Sequence, residues 1–340
     1  MKLNVPFIQL PIQFDAGALL DEIHGIEEGA WRGRTQRDDG NSALTLVTVG
    51  GDPDNDELAG EMRPTPVLDR LPYVRQVLGA LGTTCGRSRL MRLNGQAEVR
   101  AHVDVNYYWR DRMRVHVPVV TTPSVRFQCG EEETHMGAGE CWIFDTWRRH
   151  RVVNGGEAQR IHLVVDTVGG DGLWSLLSRG RSPGRGSMAP WQPSRVVKTH
   201  GIEPRIDFES VNAPQVMTPW EMRENIQFLL KECAPDPRLH AIEHALLRFC
   251  RRWQALWGCF GTDGRGWSRY RALLQETSSE LKALGAEQLG LVNEVGLWQA
   301  LGAHVLDVAL GPGTGGSAPA QTDRHGDTAH DGGVLVPGAA

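Results

Sequence analysis

RLMRLNGQAEVRAHVDVNYYWRDRMRVHVPVVTTPSVRFQCGEEETHMGAGECWIFDTWRRHRVVNGGEAQRIHLVVDTV, residues 89–168, decides the fold. The stretch is a series of short, β-rich runs separated by turn residues, with no helical periodicity between them. From 113 to 119 the alternation is clean: Met113, Val115, Val117 and Val119 fall on one face of a strand, Arg114 and His116 on the other. Strands are predicted at 89–93, 97–102, 105–110, 113–119, 125–129, 141–144, 149–153 and 160–166. Breaks come at Asn94-Gly95, near Asp104, at Gly130, at Gly137-Ala138-Gly139 and at Gly155-Gly156. Many short strands in sequence predict a closed or double-sheet, mainly β architecture.

Working outward, 7–14 reads as an edge strand, because Pro6, Gln9, Pro11 and Gln13 interrupt its apolar run. Asp15 is placed to cap a helix to about residue 26, with Leu19, Leu20, Ile23 and Ile26 at helical spacing. Residues 31–41 read as a polar loop and 43–49 as a strand. Pro72 suits the first position of a helix whose buried face is Val74, Val77, Leu78 and Leu81. This flank is expected to pack on the β-structure. On the other side, 173–177 suits a short closing helix. Residues 180–214, rich in Arg, Gly, Ser and Pro, suit a surface linker. Thr218-Pro219-Trp220-Glu221 is a capping box, and it opens a four-helix pattern at 219–233, 237–260, 266–284 and 287–310. The expected organisation is a β-domain with its flank at 1–180, a linker at 181–217, a helical bundle at 218–310 and a disordered tail at 311–340.

Composition narrows the function. With 36 Lys and Arg against 41 Asp and Glu, the net charge is -5, and the Arg clusters are short, so no nucleic-acid partner is expected. No apolar run approaches the length of a membrane span. The six cysteines form no C-x-x-C and are expected to be buried thiols in a reducing cytoplasm.

The chemistry-bearing residues are His102-x-Asp104, Arg114-x-His116, His150, and Arg160 ten positions later. Residues i and i+2 of a strand share a face, so His102 and Asp104 can turn toward one metal ion. Two histidines and a carboxylate on one face of an octahedron leave three positions open, the arrangement that suits non-haem Fe(II). His116, His135, His150 and His162 are all candidates for the third ligand. The Gly155-Gly156 hairpin would set Arg160 on the strand beside that of His150. An inward Arg160 calls for an anionic partner, and its planar fork suits a carboxylate.

These residues resemble the aspartyl/asparaginyl β-hydroxylase family, which includes bacterial free-proline hydroxylases. The likeness runs over about 87–167. It implies a double-stranded β-helix (jelly-roll, cupin-like) and an oxygenase that uses Fe(II) and 2-oxoglutarate. His102 and His150 correspond to the family's iron-ligating histidines. Arg160, in RIHLVVD, corresponds to the arginine on the far carboxylate of 2-oxoglutarate, and Arg114 and His116, in RVHVPVV, to the R-x-H of the cosubstrate pocket. Gly139-Glu140 and Phe144-Asp145 resemble the turn and strand before the distal histidine. Asp104 completes the ligand set, as in the branch that hydroxylates amino acids; some peptide-hydroxylating members have Gly there. The implied substrate is an amino acid, free, carrier-bound or in a peptide, with Asn106, Tyr107, Trp109 and Arg126 as candidate contacts at the mouth.

Two other readings compete. His240-Ala-Ile-Glu243-His244 fits the inverted zinc-peptidase pattern H-x-x-E-H, but no third ligand accompanies it and an exposed helix face explains it as well. A cupin-like module that binds a metal or ligand without turnover is the non-enzymatic alternative.

Overall fold

The computed structural model describes residues 1–33, 40–183, 191–201 and 203–311. Most of the expected loop at 31–41, part of the expected linker and nearly all of the expected disordered tail lie outside these. The strands are β1 (Phe7–Phe14), β2 (Arg32–Gly33), β3 (Asn41–Val49), β4 (Met62–Pro64), β5 (Thr84–Leu93), β6 (Glu98–His102), β7 (Met113–Val120), β8 (Val125–Cys129), β9 (Glu132–Thr134), β10 (Glu140–Phe144), β11 (His150–Asn154), β12 (Arg160–Gly169), β13 (Ser194–Val196) and β14 (Asp207–Phe208). The helices are α1 (Ala16–His24), α2 (Pro72–Ala80), α3 (Tyr107–Arg110), α4 (Asp171–Ser178), α5 (Pro219–Glu232), α6 (Leu239–Phe260), α7 (Trp267–Ala283) and α8 (Leu297–Leu301).

Two sheets face each other. The larger runs β13-β1-β10-β7-β12-β5-β3-β2, with β14 added to β5 and β4 to β3; the smaller runs β6-β11-β8-β9. This is the predicted mainly β, double-sheet core, with helices on its N-terminal flank and a helical unit after it. Strand alternation sorts the side chains of the large sheet. Val115, Val117 and Val119 of β7, Cys141 and Ile143 of β10, and Ile161, Leu163 and Val165 of β12 form one core with Leu19, Ile23, Val74, Val77 and Leu173 of α1, α2 and α4. The opposite face carries Trp142 and Phe144, which join Phe127, Cys129 and Val152 of the small sheet in a second core. Arg114, His116, Arg160, His162 and Asp166 share that inner face by the same alternation, and all are buried.

Several expectations change. The flank does more than pack on the sheet: β3 pairs with β5 within it. The first strand is no edge, since β1 lies between β13 and β10. Residues 105–110 are not a strand. The Asn106 side chain accepts the Tyr108 amide at 2.8 Å and starts the short helix α3, overriding the β-propensity of Tyr-Tyr-Trp. The Gly155-Gly156 turn is not a hairpin within one sheet, because β11 belongs to the small sheet and β12 to the large one. Asn154 directs the crossing: its side chain donates to the carbonyls of Asn94 (3.0 Å) and Ala158 (2.8 Å) and accepts from the Gly156 amide. The fourth helix, expected at 287–310, is reduced to α8 and a π turn at Gly302–Leu306. Before it, Gly290 and Gly296 form an isolated bridge around a tight turn in which Glu294 has φ 71°. Within the expected linker, β13 and β14 join the large sheet.

Helices α5, α6 and α7 start close to where the pattern placed them, and the Thr218 hydroxyl accepts the Glu221 amide at 3.2 Å. Their core holds Ile226, Leu229, Leu246, Phe249, Trp253 and Tyr270. It reaches the β-domain through Trp147, whose indole NH donates to Glu232 at 3.0 Å. Among the described residues no helix is long and apolar enough to cross a membrane. Four of the six free cysteines are buried; Cys233 is half-buried and Cys259 is exposed, against expectation.

One buried ion pair ties the segment after β14 to the entrance of β7. Arg112 donates from Nε to Glu209 at 2.8 Å and from Nη1 to the Tyr108 carbonyl at 2.9 Å. Both side chains are more than nine-tenths buried. Arg112→Leu would leave the Glu209 carboxylate buried without its cation, a cost of about 3–5 kcal/mol. The double variant Arg112→Leu/Glu209→Leu is expected to recover most of that loss in urea unfolding; strictly additive losses would contradict the pairing.

Candidate metal centre and dicarboxylate pocket

The small sheet builds the candidate metal centre. His102 is the last residue of β6 and His150 the first of β11, and the two are direct partners in the antiparallel ladder. Their ring centroids are 4.3 Å apart. Asp104 follows β6 in the loop before α3, and its amide donates to the Thr146 carbonyl at 3.1 Å, on the turn that leads to His150. One ligand atom from each of His102, Asp104 and His150 lies within 4.8 Å of the other two. Among the described residues this is the one cluster of its kind. Of the four histidines left open by the sequence, His150 is therefore the one brought to His102 and Asp104. His135 instead bonds the Val125 carbonyl through Nδ1 at 3.0 Å.

The local hydrogen bonds fit a divalent ion. His102 Nδ1 bonds the Arg100 carbonyl at 2.8 Å, and His150 Nδ1 bonds the Arg148 carbonyl at 2.9 Å. A carbonyl only accepts, so each Nδ1 carries the proton and each Nε2 presents a lone pair. Burial, and after it the neighbouring His102, pushes the His150 pKa down to about 3. The ring is neutral at physiological pH, as a metal ligand must be. Arg114 fixes the carboxylate: its Nη1 is 3.0 Å from Asp104 Oδ2, and its Nε donates to Asp166 Oδ1 at 3.0 Å. Arg87 approaches Asp166 from the other side at 3.6 Å. Trp109 lies between the two guanidinium groups, 4.0 Å from that of Arg114 and 5.3 Å from that of Arg87.

Deeper between the sheets is a cluster of buried polar groups that lack partners. Arg160 is 3% exposed, its Nε has no hydrogen-bond partner, and among the described residues no carboxylate pairs with it. Its guanidinium stands 5.1 Å from the Phe127 ring. Burial lowers its pKa to about 9, which leaves it charged at neutral pH. His162, two residues on along β12, stacks on Phe127 at 5.3 Å, and His116 meets it edge-on at 5.8 Å. Neither nitrogen of either ring has a partner. Burial first, and then Arg160, holds both imidazoles well below their usual pKa. A buried cation with two unsatisfied imidazoles is costly unless an anion with several acceptors occupies the space. A dicarboxylate that reaches from the metal centre to Arg160 supplies such acceptors, so the residues present fit both groups.

The expected substrate contacts are placed unevenly. Trp109 is buried beside Asp104. Asn106 spends its side chain on capping α3, and Tyr107 donates to Glu221 of α5. Arg126 points outward from β8 toward Glu133 at 3.4 Å, opposite to the inward Val125 and Phe127, so it does not share the pocket. His240, Glu243 and His244 are exposed on α6, as the surface reading anticipated. Asp166 and His162 were not singled out as site residues by the sequence reading beyond His162's place among the four histidines. Their signal is a polar residue at the second and sixth positions after Arg160, on its side of a largely apolar strand.

The family model of Aspartyl/Asparaginyl beta-hydroxylase matches residues 32–169. No curated protein matches the chain. Among solved structures, a 2OG-Fe(II) oxygenase family oxidoreductase from Burkholderia pseudomallei is similar at 11% identity and a TM-score of 0.34, over 46% of this chain and 80% of that one. A prolyl-4-hydroxylase from Pseudomonas putida is similar at 13% identity and a TM-score of 0.31, over 48% of this chain and 92% of that one. A cupin domain from Bordetella pertussis shares 16% identity at a TM-score of 0.20, over 24% of this chain and 79% of that one. Residues 32–169, which match the aspartyl/asparaginyl β-hydroxylase family model, hold both the histidine–aspartate–histidine cluster and Arg160.

Proposed function

We propose that this protein hydroxylates an unactivated C–H bond of an amino acid, with Fe(II) held by His102, Asp104 and His150 and the far carboxylate of 2-oxoglutarate held by Arg160. The observation that carries this reading is the buried Arg160, with which no carboxylate pairs among the described residues, on the inner face of the sheet, together with the His102–Asp104–His150 cluster. The family's Asp or Asn β-carbon is one possible target; the presence of Asp104 favours an amino acid, free or carrier-bound, over a residue in a folded protein.

Bound iron together with 2-oxoglutarate supplies the oxidising power, one atom of dioxygen entering the substrate as hydroxyl and the other the 2-oxo acid as it becomes succinate and carbon dioxide. The chain does the rest. Arg160 fixes the depth and direction of the dicarboxylate by charged hydrogen bonds in a dry pocket. His116 and His162 stay neutral there, so they donate single hydrogen bonds and add no further positive charge. Arg114, itself held by Asp166, keeps the Asp104 carboxylate turned toward the two histidines. Phe127 and Phe144 pack around His116 and exclude water.

His150→Ala and Asp104→Ala are each expected to abolish 2-oxoglutarate-dependent succinate release while the far-ultraviolet dichroism stays that of the wild type. Retained turnover in either variant would remove that residue from the ligand set. Arg160→Met is expected to weaken 2-oxoglutarate binding by roughly ten- to a hundredfold, the loss of one charged hydrogen-bonded contact. The same change relieves an uncompensated buried charge, so the ligand-free variant is expected to unfold at a urea concentration equal to or above that of the wild type. A clear loss of ligand-free stability would mean that Arg160 already has a structural partner.

The buried imidazoles set a pH dependence. The folded-state pKa values of His116, His150 and His162 all lie below the ordinary 6.5, with His150 near 3. The unfolded chain therefore takes up these protons first. Their contribution to stability is complete above pH 6.5 and is lost as the pH falls from there toward 3. Urea midpoints of the metal-free protein are expected to decline already between pH 6.5 and 5, above the range where ordinary carboxylates titrate. A flat profile in that window would contradict burial of neutral histidines.

A further inference from the structure

The hydrophobic core of the helical unit is not confined to its helices. From residues 1–180 it takes Val103, Val105, Tyr107 and Trp147, and among the described residues no other from that range. These four sit beside two of the candidate metal ligands. Val103 and Val105 flank Asp104, and Trp147 lies three positions before His150. Asp104 itself turns the other way, toward Arg114 at 3.0 Å and His102 at 3.7 Å. The segment that carries it therefore has one side at the ligand cluster and the other in the helical core. Tyr107 adds a polar tie by donating to Glu221 in the first turn of α5. The turn before His150 is gripped more tightly. The Trp147 indole NH donates to Glu232 at 3.0 Å, and the Trp147 carbonyl accepts from Asn293 at 2.9 Å. Its ring stands 5.0 Å from Phe228 and meets His304 edge-on at 5.5 Å. The residues on either side of Trp147 address the ligands. The Thr146 carbonyl accepts the Asp104 amide at 3.1 Å, and the Arg148 carbonyl holds His150 Nδ1 at 2.9 Å.

We propose that the helical unit is a positioning part of the metal centre, holding Trp147 so that the Thr146 and Arg148 carbonyls stay aimed at Asp104 and His150. The small sheet does not fix these two ligands by itself: Asp104 lies in the loop after β6, and His150 is only the first residue of β11. A ligating histidine is oriented by the acceptor on its other ring nitrogen, and that acceptor must in turn be held. Here the acceptor is a turn carbonyl one residue from Trp147. The Thr146 carbonyl belongs to the rigid peptide plane that enters Trp147, and the carbonyl bound by Asn293 belongs to the plane that leaves it. Glu232 and Asn293 thus fix the one residue whose rotation would move both ligand supports at once. The inference rests on the hydroxylase reading above and deepens it: residues beyond 169 set how tightly its metal is held. Such coupling is reciprocal, so a bound metal steadies the helical side of the contact as well.

The test measures Mn(II) binding to the full chain by titration calorimetry, a readout independent of turnover. Trp147→Phe keeps an aromatic ring against Phe228 and loses the indole NH. Asn293→Asp keeps the acceptor for the Val295 amide, now at 3.2 Å, and loses the donor to the Trp147 carbonyl. Each variant is expected to bind Mn(II) roughly three- to thirtyfold more weakly than the wild type, with unchanged far-ultraviolet dichroism. Leu273→Ala is the control for stability alone. It opens the helical core on α7, which supplies none of the partners of Trp147 named above. It is expected to lower the urea midpoint and keep the wild-type Mn(II) affinity. In the wild type, Mn(II) is expected to slow hydrogen exchange over residues 290–296, where the Val292 amide donates to the Glu232 carbonyl at 2.8 Å. Wild-type affinity in both Trp147→Phe and Asn293→Asp, an equal loss in Leu273→Ala, or exchange over 290–296 untouched by Mn(II) would each overturn the positioning role and leave the hydroxylase reading intact. A folded wild-type chain that binds no Mn(II) would overturn both.

Discussion

Arg114 holds two carboxylates inside the protein, Asp104 and Asp166, each at 3.0 Å. Every side chain of that bridge is at least nine-tenths buried, so none of the three charges is compensated by water. Removing the central cation would take a buried partner from both carboxylates, a far larger cost than any exposed ion pair carries. The bridge is also directional. Asp166 comes from β12, Arg114 from β7 and Asp104 from the loop after β6, so the large sheet fixes a ligand that the small sheet lacks. Trp109 lies against the same guanidinium and thereby ties α3 to the bridge.

The inner face of the large sheet is divided by function along its strands. Near Phe144 and Trp142 it packs like an ordinary core, and along β12 it carries Arg160, His162 and Asp166. The outer face of the same strands is wholly apolar against α1, α2 and α4. That one-sided stability is what lets the inner face hold unsatisfied polar groups: residues such as Ile161, Leu163 and Val165 each contribute roughly 1.5–3 kcal/mol by burial, enough to offset the desolvation of a cation or two histidines. A site of this kind is most stable when its anionic ligand is present, so ligand binding and folding stability are coupled.

Much of this was legible in the sequence because period-two alternation is local. The split of β7 into Val115, Val117, Val119 on one side and Arg114, His116 on the other follows from adjacent residues alone, and so do the capped starts of α1 and α5 and the Pro72 start of α2. His102 and Asp104 could be paired by spacing; the choice of His150 over His116, His135 and His162 could not, because it depends on β6 and β11 meeting in register across 48 residues of chain. The errors share that origin. Residues 105–110 have strand-forming side chains, and only the Asn106 cap and packing against α5 turn them into a helix. The Gly155-Gly156 turn resembles a hairpin locally, whereas Asn154 routes the chain to the other sheet. Arg126 has a charge suited to a substrate but the wrong parity on β8.

The most direct test of the central claim is anaerobic titration of the metal-free protein with Fe(II) and 2-oxoglutarate, following visible absorption. A 2-oxo acid chelated to Fe(II) in the His102–Asp104–His150 site should give a charge-transfer band that saturates at one equivalent of each, is missing from Asp104→Ala, and in Arg160→Met needs far more 2-oxoglutarate to develop. A folded wild-type protein that gives no band would contradict the account and leave a metal- or ligand-binding barrel without this chemistry.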